Sequence, residues 1–127
     1  SIFVADDEAT AQRYGKGLEG PYAYYFKTIM GKLVSAGRIG TFKIDQSMPD
    51  EDVTLDWVVD SLVIAGTVSS VVDQILKFRE TTGDFGMLVY CGHDWLDADL
   101  SKRSMQLFAE EVMPRVNAAI GESAAAE

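Results

Sequence analysis

His93 is the only histidine in a chain of 127 residues, and it closes the run Phe85-Gly86-Met87-Leu88-Val89-Tyr90-Cys91-Gly92-His93-Asp94-Trp95. An imidazole titrates near neutral pH, so it can donate a hydrogen bond or move a proton. Met87 to Cys91 reads as a strand apolar on both faces, the pattern of a buried parallel strand. An apolar strand that ends in polar chemistry is how α/β enzymes set a functional group at the carboxyl end of a sheet. His93 has two readings: it acts on a ligand, or with Asp94 it ties down the turn after the strand. Asp94 orients the imidazole or caps that turn. Trp95 walls a ligand or plugs a gap.

Gly66 and Thr67 form a second candidate. They place a bare turn at a helix N-terminus, where an anion can bind; the alternative is that Thr67 is a plain N-cap. The pattern is not a glycine-rich phosphate loop. Cys91, the single cysteine, is expected to pack as a small hydrophobe. His93, Asp94, Asp97 and Asp99 lie close together, but one histidine with no second thiol is a poor zinc set. The acids do not keep a calcium-loop spacing either, so no metal is expected.

These residues need elements to position them. Ile2 to Ala5 reads as a buried strand, followed by Asp6, Asp7 and Glu8 and a short helix over Ala9 to Tyr14. Pro21 suits a first helical turn, Tyr22 to Ser35 reads as a helix, and Gly37 is placed to end it. Tyr22, Tyr24, Tyr25 and Phe26 are too crowded for one apolar stripe, so some of them face either core or a partner. Gly40 to Asp60 is a long excursion in which Thr54 caps a short helix. Leu62 to Ala65 is a second strand. Val68, Val72, Ile75 and Leu76 keep helical spacing, and Gly83 ends that helix. Asp97 or Asp99 starts the last helix, which Pro114 should kink. Strand–helix alternation predicts a parallel sheet with right-handed crossovers.

Composition bounds the function. The chain carries 20 acids against 11 bases, net charge −9. That argues against a nucleic-acid backbone and against an anionic membrane surface as partners. One cysteine permits no internal disulfide, no apolar run spans a bilayer, and the opening does not read as a signal peptide, so a cytoplasmic location is expected.

Ile64-Ala65-Gly66-Thr67 stands before a helix, Phe78-Arg79-Glu80-Thr81-Thr82-Gly83 ends it, and Phe85-Gly86 leads into the next strand. Gly92-His93-Asp94-Trp95 leaves that strand, and Arg103-Ser104-Met105-Gln106-Leu107-Phe108-Ala109-Glu110-Glu111-Val112-Met113-Pro114-Arg115 follows. Together these words resemble the carboxy-terminal end of the bacterial-luciferase-like flavin-dependent monooxygenases. The opening Ile2-Phe3-Val4-Ala5-Asp6 resembles the sixth barrel strand of that family. Met48-Pro49-Asp50-Glu51-Asp52-Val53-Thr54 resembles the insertion of its limonene-monooxygenase-like branch.

The resemblance implies an α/β fold: about three β/α units from the carboxy-terminal part of a (β/α)₈ TIM-type barrel, with an insertion. Residues 1–121 would be that segment, 15–60 an insertion acting partly as a lid, and 122–127 a disordered tail. It also implies an oxygenase that takes reduced FMN from a separate flavin reductase, forms a peroxyflavin, and inserts one oxygen atom from O₂ into a small organic substrate. His93 and Asp94 would be catalytic, and Gly66, Thr67 and Trp95 would touch the flavin. The first five barrel units, which carry most of the phosphate grip, would be a missing amino-terminal half; alone, this portion is expected to be inactive, and it is expected to form a homo-oligomer. Two other readings remain: a non-catalytic partial barrel that self-associates through open sheet edges, and a same-fold deazaflavin-dependent oxidoreductase.

Overall fold

The computed structural model describes residues 1–93 and 96–125. Its sheet is small. β1 (Ile2–Val4) and β2 (Ile64–Gly66) pair in parallel, with Ile2 opposite Ile64, Phe3 opposite Ala65 and Val4 opposite Gly66. The ladder reaches one residue further at each end: Ile64 N–H donates to Ser1 C=O at 2.9 Å, and Ala5 N–H donates to Gly66 C=O at 3.1 Å.

The helices start and stop where local chemistry dictates. Asp7 caps α1 (Glu8–Ala11) by accepting from Thr10 N–H at 2.8 Å. A wide π-type turn over Gln12–Lys16 follows it. α2 (Pro21–Ser35) begins on its proline. It ends in a Schellman motif, with Gly37 at φ 66° and Arg38 N–H donating to Leu33 C=O at 2.8 Å. Thr54 caps α3 (Leu55–Leu62). α4 (Val68–Thr82) stops at Gly83, whose φ of 83° favours glycine. Asp97 caps α5 (Ala98–Leu107). A second wide turn, Phe108–Val112, links it to α6 (Met113–Ala125). That turn absorbs the missing N–H and the ring of Pro114, so the helix widens before the proline.

Each face of the sheet has its own core. Phe3, Ala5 and Ala65 pack with Tyr22, Ala23 and Phe26 of α2 and Val58 and Val59 of α3. Ile2 and Val4 pack with Val71, Val72 and Ile75 of α4 and with Leu107, Phe108 and Val112. Burying such side chains stabilises by about 1.5–3 kcal/mol each relative to leaving them in water. The stretch 15–60, expected to act partly as a lid, supplies much of the first core: Phe42 and Val53 are buried there beside α2 and α3.

The third expected strand is corrected. Met87 to Cys91 pairs with no strand among the described residues. Nor is it apolar-packed on both faces: Leu88 and Tyr90 lie against the second core, while Met87 and Val89 are 80% and 70% exposed. Cys91 is exposed rather than packed. The alternation is that of a half-covered extended segment, because the edges of β1 and β2 are already occupied by side chains.

Gly15 marks the tightest approach of helix to sheet. A Cβ built there would lie 2.8 Å from Ala65 Cβ and 3.2 Å from the Phe3 ring. Gly15→Ala should therefore cost about 1–3 kcal/mol through overpacking. Urea unfolding checks this, and adding Ala65→Gly to the same chain should recover part of the loss.

Candidate functional site

The carboxyl ends of β1 and β2 bring Asp6, Glu8, Gly66, Thr67 and Arg103 together. Asp6 and Arg103 form a forked ion pair: Arg103 Nε donates to Oδ2 at 2.9 Å and Nη2 donates to Oδ1 at 2.6 Å. Those hydrogen bonds hold the Asp6 carboxyl below the usual carboxylate range and raise the guanidinium. Glu8 uses both oxygens. Oε1 accepts from Gln12 Nε2 at 2.7 Å, and Oε2 accepts from Thr67 N–H at 3.3 Å. The Thr67 amide at the α4 N-terminus, one of the two readings for which was an external anion, thus faces the internal Glu8 carboxylate. Thr67 stands at the N-cap position but makes no side-chain capping bond. Gly66 lets α4 pack close: a Cβ there would lie 2.7 Å from Ser70 Cβ.

His93 lies at the other end of the sheet. Its Nε2 is 2.7 Å from Ser1 Oγ, at the amino end of β1. Its ring stacks on Tyr25 at 3.9 Å and 19°, and meets Tyr22 edge-on at 5.2 Å. The sequence pattern places His93 at a carboxyl end; the structure places it at an amino end because the segment before it does not enter the sheet. Asp94 and Trp95 lie outside the described residues. So the structure brings Gly66 and Thr67 together and sets His93 apart from them.

The four aromatics of α2 divide. Tyr22 and Phe26 are buried, and Tyr24 and Tyr25 are exposed. Tyr24, Tyr25, Thr28 and His93 line a hollow of about 150 Å³. A larger one, about 410 Å³, opens between the first wide turn and α3 beside Gln12, Lys16, Trp57 and Asp60; Lys16 Nζ is tied to Asp60 Oδ1 at 2.9 Å. Burial pushes the Tyr22 phenol far above its ordinary range and raises that of Tyr90. Among the described residues no group of three or more His, Cys, Asp or Glu side chains is placed to hold a metal ion, and no helix is long and apolar enough to cross a membrane.

Sequence reasoning missed Glu8 and Ser104. The signal for Glu8 was present: an acid in the first turn of the helix that follows the first strand. Ser104, within an otherwise helical run, showed none.

An α/β chain with an open two-stranded parallel sheet and this helix order has the fold of part of a TIM-barrel-like luciferase fold, and the chain is related over its matching stretch to the bacterial-luciferase-like flavin monooxygenases. One structural match is to the solved oxygenating constituent of 3,6-diketocamphane monooxygenase from the CAM plasmid of Pseudomonas putida, a type II Baeyer–Villiger monooxygenase in complex with FMN: TM-score 0.75 and 27% identity over 91% of this chain and 32% of that one. In sequence, 2,5-diketocamphane 1,2-monooxygenase 1 of Pseudomonas putida is 29% identical over 91% of this chain and 32% of its own length. Limonene 1,2-monooxygenase of Rhodococcus erythropolis is 31% identical over 58% of this chain and 19% of its own length. The chain spans under a third of the length of the first curated relative, 31%. No family model matches it.

The Asp6–Arg103 pair sets an acid dependence. A depressed carboxyl contributes stability above its ordinary value of 3.8, and that stability is lost as pH falls through the folded value. Arg103→Met should return Asp6 toward 3.8 in an NMR titration. It should also lower the urea midpoint near neutral pH, with wild type and variant converging as pH falls below the depressed folded value of Asp6.

Proposed function

We propose that this chain is the carboxy-terminal part of an FMN-dependent, luciferase-like monooxygenase that works with a flavin reductase on a small organic substrate. The observation that carries this reading is the match over 91% of the chain to an oxygenating subunit solved with FMN. The sequence words from Ile64 to Arg115 support it independently.

The described residues do not fit the flavin by themselves. Arg103, at the sheet's carboxyl end, is paired with Asp6, and Glu8 accepts from Thr67 N–H at the α4 N-terminus. A phosphate brought there would meet two carboxylates. The phosphate grip in this reading comes from barrel units that the relatives have and this chain does not span. No chemical step is therefore routed through the residues at hand. Reduced FMN, where bound, supplies the oxygen-activating chemistry. The chain's own contribution is a braced pair of parallel strands and a covered core against which the rest of the barrel closes. In the same reading, His93 and Asp94 as catalytic groups, and Gly66, Thr67 and Trp95 as flavin contacts, reach the cofactor only in the completed barrel. By itself the chain holds His93 against Ser1 and Tyr25.

The product of the complete gene tests this. It should be about three times the length of this chain, in keeping with the 31% share of its relative. It should quench FMN fluorescence on binding and, with a reductase, oxygenate a cyclic ketone or alkene. The 127-residue chain alone should leave FMN fluorescence unchanged. If His93 acts on the reaction, His93→Ala in the complete product should lower kcat by about 10²–10⁴; an unchanged kcat removes His93 from catalysis. A complete gene product no longer than this chain, or one that binds deazaflavin and not FMN, overturns the reading.

A further inference from the structure

The hollow of about 410 Å³ has walls from two elements: Gln12 and Lys16 of the first wide turn, and Asp56, Trp57 and Asp60 of α3. Both elements lie in the crossover between β1 and β2. The ammonium in it is already engaged. Lys16 Nζ donates to Asp60 Oδ1 at 2.9 Å and to Asp60 C=O at 3.1 Å. Asp60 lies in the last turn of α3, where the helix dipole disfavours an acid and carbonyls are left open, so Lys16 answers both. Asp56 differs. It stands in the first turn, four residues before Asp60 and on the same side of the helix. Its carboxylate has no hydrogen-bond or ion-pair partner among the described residues. Like charges one turn apart repel, and Lys16 relieves Asp60 alone. Gln12 donates its amide to Glu8 Oε1 at 2.7 Å, so its side-chain carbonyl is the group left to accept. Trp57 is half-buried, with part of its indole in the wall.

We propose that this hollow binds a guanidinium group on an alkyl stem, held by the Asp56 carboxylate and the Trp57 indole. The uncommitted polar groups are acceptors, the carboxylate of Asp56 and the carbonyl of Gln12, and an indole stands beside them. That set calls for a ligand that is flat, positively charged and all donor. A guanidinium has five N–H groups in one plane, forks onto a carboxylate and stacks on an aromatic face. An ammonium is more strongly hydrated and cannot fork. An anion would meet two carboxylates. The surroundings favour a cation as well. From residue 44 to residue 76 the chain carries seven acids and no base, and a cleft lined by one sign of charge concentrates the other. The site is separate from the carboxyl end of the sheet, and its occupancy does not rest on the oxygenase reading.

The test is an NMR titration of the 127-residue chain with ethylguanidinium chloride, and with neutral ethylurea of the same shape, followed at the Trp57 indole N–H and the Gln12 side-chain amide. Ethylguanidinium should shift both signals to saturation with a Kd of about 1–10 mM that weakens as salt is added. Ethylurea should shift neither. Asp56→Asn, at an exposed position, should raise the Kd about fivefold or more, and Asp56→Glu should hold it within about twofold. Asp73→Asn removes the same charge from α4 and should leave the Kd unchanged. A blocked arginine separates the sources: binding at least as tight as ethylguanidinium assigns the hollow to an arginine side chain of a protein partner, and weaker binding assigns it to a free guanidinium compound. The absence of a saturable shift overturns the proposal, as does ethylurea binding as well as ethylguanidinium. So does an Asp56→Asn chain that binds like wild type, an Asp73→Asn chain weakened as much as Asp56→Asn, or a complete gene product whose Trp57 and Gln12 signals ignore ethylguanidinium.

Discussion

Everything in this molecule answers one constraint: a parallel ladder of three residues per strand cannot hold itself together in water. Its few slanted hydrogen bonds survive only if both faces are dry and the polar groups at the edges have partners. α2 and α3 close one face and α4, the second wide turn and α6 close the other. Hydroxyl and amide side chains close the edges. The Asp6–Arg103 fork clamps the carboxyl end, and the Ser1–His93 contact pins the amino end. At Ile2 C=O, Val4 N–H and Ala65 C=O a side chain stands where a wider sheet has backbone.

The chain matches 32% of a solved oxygenating constituent of a longer flavin monooxygenase. Its described surface keeps Ile44, Met87, Val89 and Leu96 exposed, while at the α4 N-terminus the Glu8 carboxylate accepts from Thr67 N–H.

How much of this could be read from sequence follows a physical divide. Elements set by neighbours in the chain were legible: the caps at Thr54 and Asp97, Pro21 opening α2, and the positive-φ glycines at 37 and 83 closing their helices. β1 was legible from its apolar, β-branched run, and β2 in part: Leu62, read as strand, ends α3, and the strand runs Ile64–Gly66. Met87 to Cys91 has the same composition and was read as a strand. Pairing, however, depends on whether an edge is free, and the residues that decide that for β1 are Tyr22 and Ser104, up to 100 positions away. The position of His93 failed for the same reason, since it inherits its place from that segment. The two wide helical turns carried no readable signal except Pro114.

The contacts that close the sheet also fix when it can close. Ser1 meets His93, Val4 meets Ser104 and Asp6 meets Arg103 across separations of 92, 100 and 97 residues. Until α5 docks, Val4 lacks its Ser104 partner and Asp6 lacks Arg103. Closing loops of this length is slow for a domain this size, so folding should be governed by late docking of α5 rather than by the early, locally specified helices.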